Sequence, residues 1–199
     1  MIFSRFFNHK VLLSSLLLSC SATALADTAA AQQQFFQQLS TLCGKAFAGK
    51  VVKGNSSDDK MRSQQLVMHV RECSDTEIKV PFHVGEDRSR TWVITKTNTG
   101  LRLKHDHRHK DGSSDKVTMY GGDTQSAGTA QQQLFPADQY SKEMFTANNM
   151  AVSNGNTWLV EILPGKSYRY GLSRQGREFM VEFDLTKEVT PPPAPWGHP

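Results

Sequence analysis

The sequence predicts a mainly β chain, an antiparallel up-and-down meander closing into a barrel of about ten strands. Three observations predict it. Apolar and polar residues alternate in short segments over most of the chain, the joints between segments carry tight-turn residues, and strong helical spacing is confined to the beginning and to one insertion. From Ala29 to Cys43 the residues Phe35, Phe36, Leu39 and Leu42 recur at helical spacing among glutamines, and Gly44 follows as a stop. The period then changes. Strands are expected over Ala46 to Lys53, Gln65 to Cys73, Glu77 to Gly85, Arg90 to Thr97, Leu101 to His109, Lys116 to Tyr120 and Thr129 to Phe135. Three more follow over Thr157 to Leu163, Ser167 to Ser173 and Glu178 to Leu185.

The joints are of hairpin type: Ser74-Asp75-Thr76, Asn98-Thr99-Gly100, Lys110-Asp111-Gly112, Pro164-Gly165-Lys166 and Gln175-Gly176. Between the seventh and eighth strands Pro136 opens a stretch with Tyr140, Met144 and Phe145 at helical spacing, which predicts a short helix packed on the sheet. Tyr120-Gly121-Gly122-Asp123 reads as a turn or bulge closing a strand. A meander of this length must manage two exposed edges, and closure into a barrel removes them. The N-terminal helix then covers one end; an open sandwich or half-barrel is the alternative. From Thr190 onward the run of prolines excludes ladder pairing, so residues 190–199 read as an extended tail draped on the surface, with Trp196 as an anchor.

Leu42-Cys43-Gly44-Lys45-Ala46-Phe47-Ala48-Gly49, a helix end running into a glycine-punctuated first strand, resembles the entry to lipocalin-like and fatty-acid-binding-like (calycin) barrels. The likeness extends over the strand order of residues 42–185, and the chain departs from it in having Phe47 where a tryptophan is usual. Tyr120-Gly121-Gly122-Asp123 and the proline-rich end are also similar to an uncharacterised family of secreted bacterial proteins, which supplies no activity to carry over.

Residues 1–26 read as a secretory signal peptide: Arg5 and Lys10 without an acid, the apolar run Val11 to Leu18, and cleavage after Ala24-Leu25-Ala26. The apolar run is far shorter than the roughly 20 residues of a membrane span. An alternative reading takes Leu17-Leu18-Ser19-Cys20 as a lipoprotein box with a lipid anchor on Cys20. Residues 27–189 then form a single domain, periplasmic or secreted. Two of the 23 basic residues precede residue 27 and none of the 19 acidic ones does, so the exported part carries 21 against 19, or +2. Near-neutral balance in the cell envelope argues against nucleic acid as a partner. Without Cys20 two cysteines remain, Cys43 and Cys73, and an oxidising compartment favours a disulfide between them.

The densest candidate for chemistry is Leu101 to Lys110. On a strand Leu101, Leu103, His105, His107 and His109 share one face, and Arg102, Lys104, Asp106, Arg108 and Lys110 share the other. If the leucines face inward, so does His105, while Arg102 and Lys104 face solvent. Imidazoles two apart lie about 7 Å apart at Cα, near enough for His105 and His107 to ligate one zinc or copper ion. His109 joins only with a bend, and His69, His83 or a carboxylate could supply a third donor. The bland alternative leaves these histidines hydrogen-bonded at a solvated rim. No catalytic residue is assigned, and the residues leave the cofactor open. Gly165-Lys166-Ser167 lacks the glycine-rich cradle of a phosphate loop, and Gly171 to Gly176 is one residue too long for a nucleophile elbow.

Large apolar residues at alternate positions suit a lined cavity as well as a packed core. Trp92, Tyr120, Trp158 and Tyr168, with His105 and His107, are the candidate ligand-binding residues. Three readings of function follow. The first is an exported, non-enzymatic barrel binding a small apolar or amphipathic ligand. The second is a metal-binding protein or metal-dependent enzyme using His105, His107 and His109. The third is a structural or interaction protein with a filled barrel.

Overall fold

A computed structural model of the chain describes residues 20–198, with side chains described from residue 30 onward. Most of the leader reading, residues 1–19, therefore lies outside the described residues. Helix α1 spans Cys20–Ser40, and a turn carries the chain into β1 (Ala46–Lys53). The helix ends three residues earlier than the spacing of Leu42 suggested. Gly44 takes a left-handed φ of 82° and its amide donates to the Val70 carbonyl at 2.7 Å, so Thr41 to Gly44 turn toward the sheet.

The remaining strands are β2 (Leu66–His69), β3 (Glu72–Cys73), β4 (Glu77–Val84), β5 (Asp87–Thr97), β6 (Gly100–His107), β7 (Tyr120–Asp123) and β8 (Gln132–Pro136). Helix α3 (Gln139–Ala147) is the inserted helix, and β9 (Thr157–Leu163), β10 (Ser167–Arg174) and β11 (Arg177–Val189) complete the sheet. A short 3-10 turn at Ser56–Asp58 leads into α2 (Asp59–Arg62), and another lies at Ala151–Gly155.

All pairings are antiparallel, in the order β7-β6-β5-β4-β2-β1-β11-β10-β9-β8, with β3 on β4. Ten strands thus form a nearly closed barrel in meander order, the first strand pairing with the last. The architecture is compatible with a calycin-like fold. Among the described residues no helix is long and apolar enough to cross a membrane.

Inward positions follow the period of two: Ile78, Val80 and Phe82 on β4, Trp92 and Ile94 on β5, Leu101 and Leu103 on β6, Val181 and Phe183 on β11 are all buried. Phe35, Phe36 and Leu39 of α1 join this core and close one end of the barrel, where Gln32 donates to Thr124 Oγ1 at 2.9 Å. The Cys43–Cys73 disulfide, with Cα atoms 6.3 Å apart, ties the end of that helix to β3.

The seam of the barrel falls between β7 and β8. Tyr120-Gly121-Gly122-Asp123 is not a turn closing a strand over Lys116 to Tyr120; it is the strand itself, and residues 116–119 belong to the loop before it. Crowding explains the two glycines. A Cβ on Gly121 would lie 1.9 Å from the Leu103 carbonyl oxygen, and one on Gly122 would lie 1.8 Å from that of Pro136. The Asp138 amide donates to the Gly121 carbonyl at 2.8 Å, and Ser141 Oγ bonds both the amide and the carbonyl of Gly121. Side-chain and backbone bonds from the start of α3 thus stand in for a β7–β8 ladder. Gly122→Ala is expected to lower stability by about 1–3 kcal/mol through this backbone clash, read as a fall in the urea midpoint; an unchanged midpoint would show that the seam yields freely.

On the outer face the proline-rich tail runs across β5 and β6. Arg88 donates to the Ala194 carbonyl at 3.0 Å, the Trp196 amide donates to Arg88 at 3.0 Å, and His198 Nε2 lies 2.8 Å from Asp106. Asp106, outward by parity, is consequently buried. Lys104 departs from the solvent-facing expectation for a similar reason: α3 covers it, and its ammonium pairs with Asp138. Arg102 does remain exposed, in a two-point bond with Asp123.

Candidate functional site

Opposite the end plugged by α1, the barrel opens into a cavity of about 400 Å³. Its floor and walls come from inward positions near the open ends of the strands: Phe82, Trp92, His105, Trp158, Tyr170 and Phe179. Three segments outside the ladder build the rim. The 56–62 segment contributes Asp58 and Met61, the loop after β6 contributes Asp115 and Val117, and the stretch after α3 contributes Met150 and Ser153.

His105 is buried, as its parity predicted, and both ring nitrogens are engaged. Nδ1 lies 3.0 Å from the Tyr120 carbonyl and Nε2 lies 2.7 Å from the Tyr170 hydroxyl. A carbonyl only accepts, so Nδ1 carries the proton and the Tyr170 hydroxyl donates to Nε2. Burial, more than the neighbouring His107 and Lys104 charges, pulls the imidazole pKa down to about 3, keeping the ring neutral. His107 Nε2 is hydrogen-bonded to the Tyr120 hydroxyl at 3.1 Å, and burial assisted by Arg90 lowers its pKa to about 4. The same exclusion of water raises Tyr120 to about 12 and drives Tyr170 well above the ordinary phenol. These pairs are neutral hydrogen-bonded units, unsuited to general base work near pH 7.

Charged groups at the rim are mostly tied to one another. Arg177 makes a two-point contact with Asp58 at 2.6 Å for each bond, and that contact holds the Asp58 carboxyl below its usual range. It pins the 56–62 segment over β11. Arg90 is held by Asp87 at 2.6 Å. Arg174 donates to the Asn156 side chain at 3.1 Å, with no carboxylate partner among the described residues.

The expected site residues separate. His105, His107, Trp92, Tyr120 and Trp158 all line this cavity. Tyr168 does not; it lies deeper, packed against Trp92 and Phe183, with no hydrogen-bond partner for its hydroxyl among the described residues. Alternation gives the face of β10 but not the depth, and Tyr170, two residues nearer the mouth, takes that place. His109 lies beyond the end of β6, exposed, and is not among the lining residues. His105 spends both nitrogens internally, and among the described residues no three His, Cys, Asp or Glu side chains gather to hold a metal ion. His83, read as a spare donor, faces outward beneath other residues, its pKa lowered to about 4 by burial and Arg88.

Sequence reasoning passed over Asp58, Arg90, Asp115, Arg174 and Arg177. One signal was present: Asn55-Ser56-Ser57-Asp58 has capping-box spacing, and Asn55 Oδ1 accepts from the Ser57 amide while Asp58 Oδ2 accepts from the Asn55 amide. The arginines carry no local signature. Together the fold and the cavity define a class: a nearly closed antiparallel barrel with one end plugged by a helix and the other open onto an aromatic-lined pocket. Comparison with protein-family models, curated proteins and solved structures finds no match.

Proposed function

We propose that this chain is an exported, non-enzymatic β-barrel protein that takes up a small apolar or amphipathic ligand through its open end. The observation that carries the reading is the cavity of about 400 Å³, within the range of small-molecule sites and lined by a cluster of aromatic side chains beside polar and charged groups such as Asp58, Arg90, Arg174 and Arg177. A filled barrel acting only as a structural element has no use for such a void. Neutral, mutually satisfied histidines and tyrosines favour binding over catalysis. Export agrees with the leader-like residues 1–26 and with the Cys43–Cys73 bridge, which persists best in an oxidising compartment.

The test blocks the mouth without touching the floor. Val117 is half-buried on the rim loop, and Val117→Trp places an indole in the opening. Titration with anilinonaphthalene sulfonate, followed by dye fluorescence and by quenching of Trp92 and Trp158, is expected to show saturable binding to the natural sequence. In Val117→Trp the affinity should fall at least about tenfold, or some 1.4 kcal/mol, with thermal stability nearly unchanged. No binding by the natural sequence, or equal binding by the blocked variant, would defeat the reading.

A further inference from the structure

We infer that the cavity selects flat, fused-ring aromatic molecules over flexible alkyl chains, an inference that rests on the ligand-binding reading and names its ligand class. The walls carry the argument. Trp92 stacks on Phe82 with ring centres 4.9 Å apart and planes 17° apart, and on Tyr170 at 4.3 Å and 21°. Tyr120 stacks on His105 at 4.6 Å and 15°, and lies against Trp158 and Phe145 at 5.6 Å and 5.3 Å. Much of the wall is therefore ring surface, near-parallel where Trp92 meets Phe82 and Tyr170 and where Tyr120 meets His105, and tilted by 32° and 49° where Tyr120 meets Trp158 and Phe145.

These rings are held in place. The Tyr170 hydroxyl donates to His105 Nε2, the Tyr120 hydroxyl is tied to His107, and His105 Nδ1 donates to the Tyr120 carbonyl. A ring fixed by its neighbours and by a buried hydrogen bond cannot swing to follow a bent chain, so Tyr120, Tyr170 and His105 keep their faces in place. A flat aromatic ligand meets them with little loss of internal freedom and gains offset-stacked or edge contacts of about 0.5–1.5 kcal/mol per ring pair beyond area burial. An alkyl chain must freeze its rotors to lie in the same space. The ligand's polar edge belongs at the mouth, where Arg174 has no carboxylate partner among the described residues.

Naphthoate and undecanoate have the same carbon count and the same carboxylate, which makes them matched probes. On transfer alone the alkyl chain has the advantage, at roughly 0.8 kcal/mol per buried CH₂, so a preference for naphthoate reports shape. Calorimetric titration of the purified protein is expected to show naphthoate bound at least about tenfold more tightly, with the indole N–H resonances of Trp92 and Trp158 shifting in parallel. Trp158→Leu, which keeps an apolar wall but removes its flat face, should reduce that preference; Phe145→Leu on α3 provides the same test if the first variant does not fold. Undecanoate binding as tightly as naphthoate and moving the same resonances would overturn ring selection while leaving the ligand-binding reading intact. Neither probe moving either indole would sink both, and a preference unchanged in the folded leucine variants would overturn the assignment to these walls.

Discussion

Replacing Cys43 and Cys73 together by serine is expected to lower the free energy of unfolding by about 3–4 kcal/mol, the chain-entropy value for a loop of this length. The sequence separation is 30 residues. Few single features of the fold are worth as much, because the total stability of a domain is of order 5–15 kcal/mol. The bridge also has a local task. It joins the turn that follows α1 to β3, a two-residue strand that among the described residues pairs only with β4, so its loss frees the helix that closes the barrel floor. Urea unfolding of the double variant should show a lower midpoint, and native-state hydrogen exchange should quicken first in α1 and β3. A midpoint equal to that of the oxidised protein would mean that the floor is held by Phe35, Phe36 and Leu39 alone.

That bridge was readable from two cysteines and an expected oxidising compartment, and the barrel from alternation and turn residues. Strand β9 has the bounds that Thr157 to Leu163 predicted, since one face carries Trp158, Val160 and Ile162 and the turns on either side are sharp. His105 was likewise placed by the parity it shares with Leu101 and Leu103. Three kinds of information were not local. Gly121 and Gly122 read as a turn because glycine usually marks one, whereas here backbone from β6 and from Pro136 approaches too closely for any Cβ, a fact of tertiary packing. Depth along a strand was invisible, which is why Tyr168 was expected where Tyr170 stands. The covering of Lys104 by α3 and of Asp106 by the tail depends on what lies outside the barrel, and strand periodicity describes only the two faces of the sheet.

The rim was the least legible part. Asp58 and Arg177 are 119 positions apart, and nothing in either neighbourhood announces the other. The helical segment that carries Asp58 falls between two strands in what alternation leaves as a loop. Capping-box spacing marks its start, but such a signal identifies a helix end and not the edge of a cavity. Trp92, Tyr120 and Trp158 do lie in the pocket wall, but alternation alone did not announce a pocket: a run of inward rings becomes one only because the opposite end is filled by α1 and this end is not.

The second large effect concerns acid. His105, His107 and His83 have folded pKa values lowered from 6.5 to about 3, 4 and 4, each chiefly by burial. In the unfolded chain they take up protons near pH 6.5, and in the folded chain they do not. Their contribution to stability is therefore complete above that pH and is lost as pH falls toward the folded values. Each group adds a slope of up to about 1.4 kcal/mol per pH unit across its window. The depressed carboxylates, Asp58 held by Arg177 and Glu72 held by Lys79, have the same sign but act only below about pH 4, near and under the ordinary carboxylate value. Between pH 6.5 and 4 the histidines dominate, so the protein should lose stability steeply in mild acid. His105→Gln should be less stable than the natural sequence at pH 7, having lost the Tyr170 and Tyr120 geometry, yet show a flatter dependence. Urea midpoints at pH 7, 6 and 5 for both proteins read the two slopes directly. Parallel slopes would mean that His105 takes up its proton in the folded state without penalty, and that the His105–Tyr170 pair does not hold the cavity wall as a neutral unit.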